Sequence, residues 1–391
     1  GAPEGAQWDA AKEALSEDII VLVSDPGRVR LALQALVDAS LLIREGTADD
    51  PHEMHRMTGA ALRALQEDDG AATAATLLLG ARYPFDIGDS TNWPLCRRLT
   101  PHVRALWDSG HAPRNDAMGF LLNQAGVFLR TIADFDGGLA LAEARFEMAQ
   151  DLYTEDHREY TAGLHNLAFA RMEAGDLEGA RRDMARAVAL HQAHRPGSAE
   201  LASSHDAMGG VLLEMAESGD AAQLPEAARA YQQALALRRR LFGRQSDLVA
   251  FSLNNLGGAR KLQGRAAAAV RLFEISLKIL RAVLPEGDTR LATAAMNVGS
   301  NWLEAGRADL AEPLLAEALE IRRAAFVEEP QHPELRLAAD WLIRCLLVRA
   351  AAGENVGLRE MQARQLAEEF GFDWETEQAE ARQYPYTPGP G

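Results

Sequence analysis

Along most of this chain apolar residues recur at intervals of three and four, the period of a helix with one buried face. The periodic stretches are themselves repeated. Four segments superpose without gaps: NQAGVFLRTIADFDGGLALAEARFEM from Asn123, HNLAFARMEAGDLEGARRDMARAVAL from His165, NNLGGARKLQGRAAAAVRLFEISLKI from Asn254 and MNVGSNWLEAGRADLAEPLLAEALEI from Met296. Each carries a small residue early on (Gly126, Ala168, Gly257, Gly299) and then a turn residue (Ala133, Gly175, Gly264, Gly306). A second periodic stretch follows, such as Leu310, Leu314, Leu315, Ala318 and Leu319. Gln124 to Asn166 and Asn255 to Asn297 both span 42 residues. The 89 residues between Asn166 and Asn255 hold a further copy with its small residue at Gly209 and a turn lengthened by SGDAAQLP. A sixth, degenerate copy starts near Arg336.

The pattern predicts stacked helix–turn–helix hairpins. A large–small pair in the first helix (Leu167-Ala168, Leu256-Gly257, Val298-Gly299) lets the second helix approach closely, and Gly at the turn supplies the left-handed backbone that ends a helix. One hairpin cannot cover its own apolar face, so neighbours must stack. Residues 1–68 break the period. An amphipathic helix at 29–38 is followed by two alternating stretches, SLLIREG at 40–46 and HEMHRM at 52–57, around the turn TADDP, and then by a helix at 58–66 that Thr58 can cap. Helix, hairpin, helix is the outline of a winged helix.

These residues carry two resemblances. The recurring Asn–large–small motif with its Gly turn, together with LFGRQSDLVAFSLNNLGGARKLQGR (241–265) and LPEGDTRLATAAMNVGSNWLEAGR (284–307), resembles the tetratricopeptide repeats of the longer kind found in kinesin light chains and bacterial regulators. The segment ALVDASLLIREG…HEMHRMTGAALRAL resembles the winged helix that follows the nucleotide-binding module of STAND-type (NB-ARC-like) ATPases, and STNWPLCRRLTPHVRAL (90–106) resembles the linker hairpin after it. The implied fold is all-α, a right-handed superhelical solenoid preceded by a small winged-helix-like α+β segment. The implied organisation is 1–68 winged-helix-like, 69–112 linker hairpin, 113–372 solenoid of five to six repeats and 373–391 a flexible Pro-, Gly- and Tyr-containing tail. A nucleotide-binding domain is missing from the sequence: GxxxxGK[ST] is absent and the dipeptide Gly-Lys does not occur, so ATP hydrolysis has no phosphate-cradling loop to act through.

Composition narrows the function. A net charge of −17 repels phosphate backbones and reads against nucleic acid. Lys occurs only at Lys12, Lys261 and Lys278. Cys96 and Cys345 are lone thiols in apolar helical patterns, which suits a reducing cytoplasmic compartment better than a disulfide framework. No run of about 18 apolar residues is present to span a bilayer, and no signal segment is visible.

Candidate chemistry is sparse. His52 and His55 fall on an expected strand and point to opposite faces, which does not suit a metal. His191 and His194 sit one turn apart near a helix end, where cations favour the dipole. Ser204, His205 and Asp206 are triad residue types, but neighbours on a helix diverge by about 100°. With no nucleophile–base pair, metal set or phosphate loop, the chain reads as a binding protein without cofactor and not as an enzyme. The resemblance places a ligand groove along the first helices: Asn123, Gln124, His165, Asn166, Asp206, Asn254, Asn255 and Asn297, then Phe169 and Ser300, then Arg130, Lys261 and Glu304, with Asp340 in the last copy. The recurring Asn either grips an extended peptide, since it offers a donor and an acceptor, or stitches adjacent helices. Ala207 interrupts the series. Arg130 and Lys261, with Arg336 as a further candidate, are too few for a carboxylate clamp. The expected function is the protein- or peptide-binding sensor of a STAND switch, and the alternative is a free-standing adaptor or peptide receptor. A protein or peptide is the expected partner, with self-association or docking to an ATPase domain also open.

Overall fold

The computed structural model describes residues 70–386, Glu328 excepted, and the isolated positions Asp25, Arg28 and Leu31. Apart from those three positions, the winged-helix-like segment expected at 1–68 lies outside the described residues, with its helices and both strands, as do 387–391. Every regular element among the described residues is helical, in keeping with the all-α reading.

The chain divides into two compact units after Asp183. The first contains α1 (Gly70–Arg82), α2 (Trp93–Asp108), α3 (Asp116–Thr131), α4 (Phe135–Leu152) and α5 (Arg158–Glu173), and the division falls inside α6 (Leu177–His194). Its core gathers Cys96, Val103, Met118, Leu121, Leu122, Phe128, Leu141 and Met148. The loop between α1 and α2 is pinned by the Trp93 indole, which donates to the Ile87 carbonyl at 3.0 Å. The second unit contains α7 (Ala199–Glu217), α8 (Leu224–Phe242), α9 (Asp247–Leu262), α10 (Ala266–Val283), α11 (Thr289–Glu304), α12 (Ala308–Ala325), α13 (Pro333–Ala351), α14 (Val356–Phe370) and α15 (Trp374–Ala381). Its largest core runs through Phe273, Leu277, Leu303, Leu315, Leu319, Ile343, Leu346 and Phe370. The first helices of the repeated hairpins are α3, α5, α7, α9, α11 and α13.

Two local features make each hairpin. The turn residue takes positive φ: 62° at Ala133, 85° at Gly175, 72° at Gly264 and 77° at Gly306. The next amide then reaches back over the helix end, as Asp134 N to Leu129 O at 2.8 Å and Arg265 N to Arg260 O at 2.9 Å, which closes otherwise orphaned carbonyls. In the third copy the inserted residues form a short 3-10 turn, Ala221–Gln223, before α8. The small residue lets the second helix press against the first: a Cβ added at Gly257 would lie 2.7 Å from the Phe273 ring, and one at Gly299 would lie 2.8 Å from Leu315 Cγ.

Within the segment expected as a tail, Trp374–Ala381 forms α15. Asp373 caps α15 through the Thr376 amide at 2.9 Å, Arg364 lies over the Trp374 ring at 4.8 Å, and Tyr384 meets Trp341 edge-on at 6.0 Å. Aromatic anchors and a helix cap fix residues 373–386 where composition alone pointed to a flexible segment.

The turns yield a direct prediction. Ala133 stands in a left-handed conformation that costs a non-glycine residue roughly 1 kcal/mol. Ala133→Gly is therefore expected to raise stability by up to about 1 kcal/mol, and Gly264→Ala to lower it by a similar amount. Urea denaturation followed by circular dichroism measures both, and opposite signs are required.

Candidate functional site

The residues expected to line a groove are brought together, but mostly with one another. Asn166 Nδ2 donates to Asn123 Oδ1 at 2.7 Å, across 43 residues of sequence. Asn297 Nδ2 donates to Asn254 Oδ1 at 2.8 Å, again 43 residues away. Asn255 Nδ2 lies 3.3 Å from Asp206 Oδ2, 49 residues away because the third copy has the longer turn. The charged positions obey the same rule. Lys261 Nζ bonds Glu304 Oε1 at 2.8 Å, and the Arg130 guanidinium holds the carboxylate of Glu173. Arg290 Nη1 reaches Asp247 Oδ2 at 3.1 Å.

The register explains these pairs. Where the pairs run between α9 and α11 they stand at positions spaced by seven, or two helical turns: Asp247, Asn254 and Lys261 on α9 meet Arg290, Asn297 and Glu304 on α11. Seven-residue spacing keeps the three on one stripe. The Asn ladder is thus a set of rungs between neighbouring helices, the stitching role that the sequence left open beside ligand binding.

The remaining positions have other partners. Gln124 is buried and donates to the carbonyls of Pro84 and Phe85 at 3.1 and 2.6 Å, so it anchors the α1–α2 loop. His165 and Phe169 lie one turn apart on α5 with ring centroids 5.0 Å apart. Ser300 is buried, its hydroxyl bonded to the Asn297 carbonyl at 3.3 Å. Burial pushes the Asp206 carboxyl above its usual range, against the opposing pull of Arg238 at 3.3 Å and of Asn255. Asp340 accepts from Arg344 at 2.8 Å.

His191 differs from its expected role as a helix-end cation. It is buried against the Ser204 hydroxyl at 2.9 Å, and desolvation lowers its pKa, which favours the neutral ring.

Between the rungs lie clefts the sequence reading did not single out. In the second unit a cavity of about 320 Å³ is lined by Leu248, Phe251, Asn254, Leu280, Arg290 and Ala294. Phe251 is 52% exposed and Leu248 39% exposed there. In the first unit the equivalent cleft, about 710 Å³, includes Phe120, Asn123, Arg145, Glu159 and Asn166. Arg145 is buried, with Nη2 2.7 Å from Glu159 Oε2. The helices α6, α8, α10 and α12 carry Ala187, Ala234, Ser276 and Ala318 at that position. Gly119 makes room for it, since a Cβ there would lie 3.2 Å from Arg145 Nε. Alignment of second helices, rather than first helices alone, is the signal that marks Arg145.

If the rungs are structural, they should couple in the absence of any ligand. Asn297→Ala is expected to cost about 1 kcal/mol, and a double-mutant cycle with Asn254→Ala to return a coupling of similar size. Urea midpoints of the four proteins measure it, and additivity of the two substitutions would refute the rung.

Comparison with known proteins places this geometry. Two family models, each described as a tetratricopeptide repeat, match residues 220–282 and 291–334. No curated protein matches the sequence. A Rap protein in complex with competence and sporulation factor is similar in fold, with a TM-score of 0.51 at 12% identity over 84% of this chain and 88% of that one. BtubC (BKLC) from P. vanneervenii gives a TM-score of 0.47 at 23% identity over 60% of this chain and 89% of that one. A kinesin light chain repeat protein of Podosopora anserina gives 0.45 at 18% identity over 52% and 94%. The repeated hairpins, their positive-φ turns and the matches over 220–282 and 291–334 establish that this chain carries tetratricopeptide repeats.

Proposed function

We propose that the chain is a protein- or peptide-binding module whose partner lies on the exposed side of the first helices. The observation that carries this reading is the cleft between α9 and α11. Phe251 and Leu248 are exposed beside Leu280 and Ala294, with the Asp247–Arg290 pair at the rim. An exposed apolar floor with a charged edge is what a partner side chain can desolvate, whereas the amides around it are already engaged in rungs. Phe120 stands at the same helical position in the first unit. The Rap protein of similar fold is itself found with a bound factor, which lends the reading support by analogy alone.

The finer role is the sensor of a STAND-type switch. It rests on the resemblance of ALVDASLLIREG…HEMHRMTGAALRAL and of residues 90–106 to the segments that follow a nucleotide-binding module. Its test is genomic: the reading requires a P-loop domain encoded in frame ahead of these residues, and a frame without one removes the switch and leaves the adaptor.

Phe251→Asp tests the binding face. The position is half exposed, so the helical content and melting temperature are expected to stay unchanged. Proteins retained from a native-host extract by the parent chain are expected to be lost. Equal retention by both chains would overturn the assignment of this cleft.

A further inference from the structure

At the C-terminal end of the second unit a rung of different chemistry replaces the amides. Asp340 occupies on α13 the position from which Asn123, Asp206 and Asn254 reach the next first helix in their own copies. What lies opposite is Glu377 of α15. Both are carboxyl groups and both approach one nitrogen, Arg344 Nε, which lies 2.8 Å from Asp340 Oδ1 and 3.7 Å from Glu377 Oε2, so a second buried negative charge beside the first is disfavoured unless it carries a proton. Glu377 is only 4% exposed, and its Oε2 has no hydrogen-bond partner.

Every charged group around the pair bears on where that proton sits. From α13, Arg344 holds Asp340 Oδ1 through Nε at 2.8 Å and leaves Glu377 Oε2 at 3.7 Å. Its Nη2 is occupied by Glu380 of α15 at 2.6 Å. Tyr384 lies beside the same guanidinium. One cation thus faces three carboxyl groups, and it is committed to Asp340 and Glu380. Asp340, held by Arg344, is the ionised member and Glu377, left without a close cation, the one that keeps the proton.

We propose that α15 is a proton-operated cap: docked on α13 while Glu377 is protonated, and released from it once Glu377 ionises beside Asp340 and Glu380. Release exposes the face of α13 that carries Trp341, Leu347 and Val348. That face belongs to a first helix, the class of helix whose exposed side the proposed binding surface uses, so the cap controls how far that surface extends. The inference rests on the geometry of α13 and α15 and stands whether or not a partner binds at Phe251.

The sign follows from the group. Burial, and then the neighbouring Asp340, raise Glu377 to about 7 from the ordinary 4.5. A folded-state value raised above the unfolded one means that the stabilisation is complete below about 4.5 and is lost as pH rises through about 7. Docking is weakest above that.

Hydrogen exchange of the α15 amides in the whole chain, corrected for intrinsic rates, tests this. Protection is expected to fall by about tenfold or more between pH 5.5 and 8.5, while α9 and α11 keep theirs. Glu377→Gln, which does not titrate, is expected to hold α15 protected across the range. Asp340→Asn, which removes the need for the proton, is expected to shift the loss out of the neutral range. Constant protection of α15 in the parent chain, or the same pH step in Glu377→Gln, would overturn the cap.

Discussion

The close approach of second helix to first, made through Gly209, Gly257 and Gly299 in three of the hairpins, is the constraint on which the rest of the structure depends. At Gly257 the Phe273 ring and at Gly299 the Leu315 side chain occupy the space a Cβ would need. With that face filled, the first helix has its opposite side left for its neighbour and for solvent. The register between neighbouring first helices then follows from rigid bodies of nearly constant length, and side chains seven residues apart fall into line. The rungs do not create the stack. They report that the packing has already set one register, and they contribute about 1 kcal/mol each where both partners are neutral amides.

That order of causes decides how the polar face should be read. An amide that spends its donor on a neighbouring helix is less available to a ligand than its residue type suggests. Asn166, Asn255 and Asn297 all donate within the protein. In the proposed function, recognition falls to what the rungs leave between them: apolar floors such as Phe251 and Leu248, rimmed by charges whose geometry the rungs fix. The polar ladder is thus the frame of the site, and the clefts are its contents.

The repeat, its period, the lengthened third turn and the left-handed turn residues were legible in the sequence because each is a local rule repeated many times. Gly264 and Gly306 announce themselves, and Ala133 is recognisable as a turn residue only because the other copies align with it. The pairing of Asn254 with Asn297 was not legible, since nothing in the spacing says which of two adjacent polar residues faces its neighbour. Gln124 shows the hazard: it aligns with Asn166, Asn255 and Asn297, yet its partners are the backbone carbonyls of Pro84 and Phe85 in a loop and not a side chain on another first helix. The C-terminal segment misled for a related reason. Pro, Gly and Tyr composition ignores that Trp374, Tyr384 and Arg364 anchor one another and their neighbours once α13 and α14 supply a surface.

Repetition also supplies an internal reference for what is not structural. A position filled by Ala or Ser in α6, α8, α10 and α12 and by a buried Arg145 in α4 is not a general requirement of the stack, which those four helices meet without it. The same reasoning separates Asp340 and Glu377 from the amide rungs. Asn can bridge two helices at any pH, so an end that uses two carboxyl groups gains nothing in strength and acquires a dependence on protons. Departures from a repeat that cost stability or condition it on the medium are where a repeated fold becomes a particular protein, and here they lie at Arg145 with Gly119 and at the α13–α15 contact rather than in the Asn ladder.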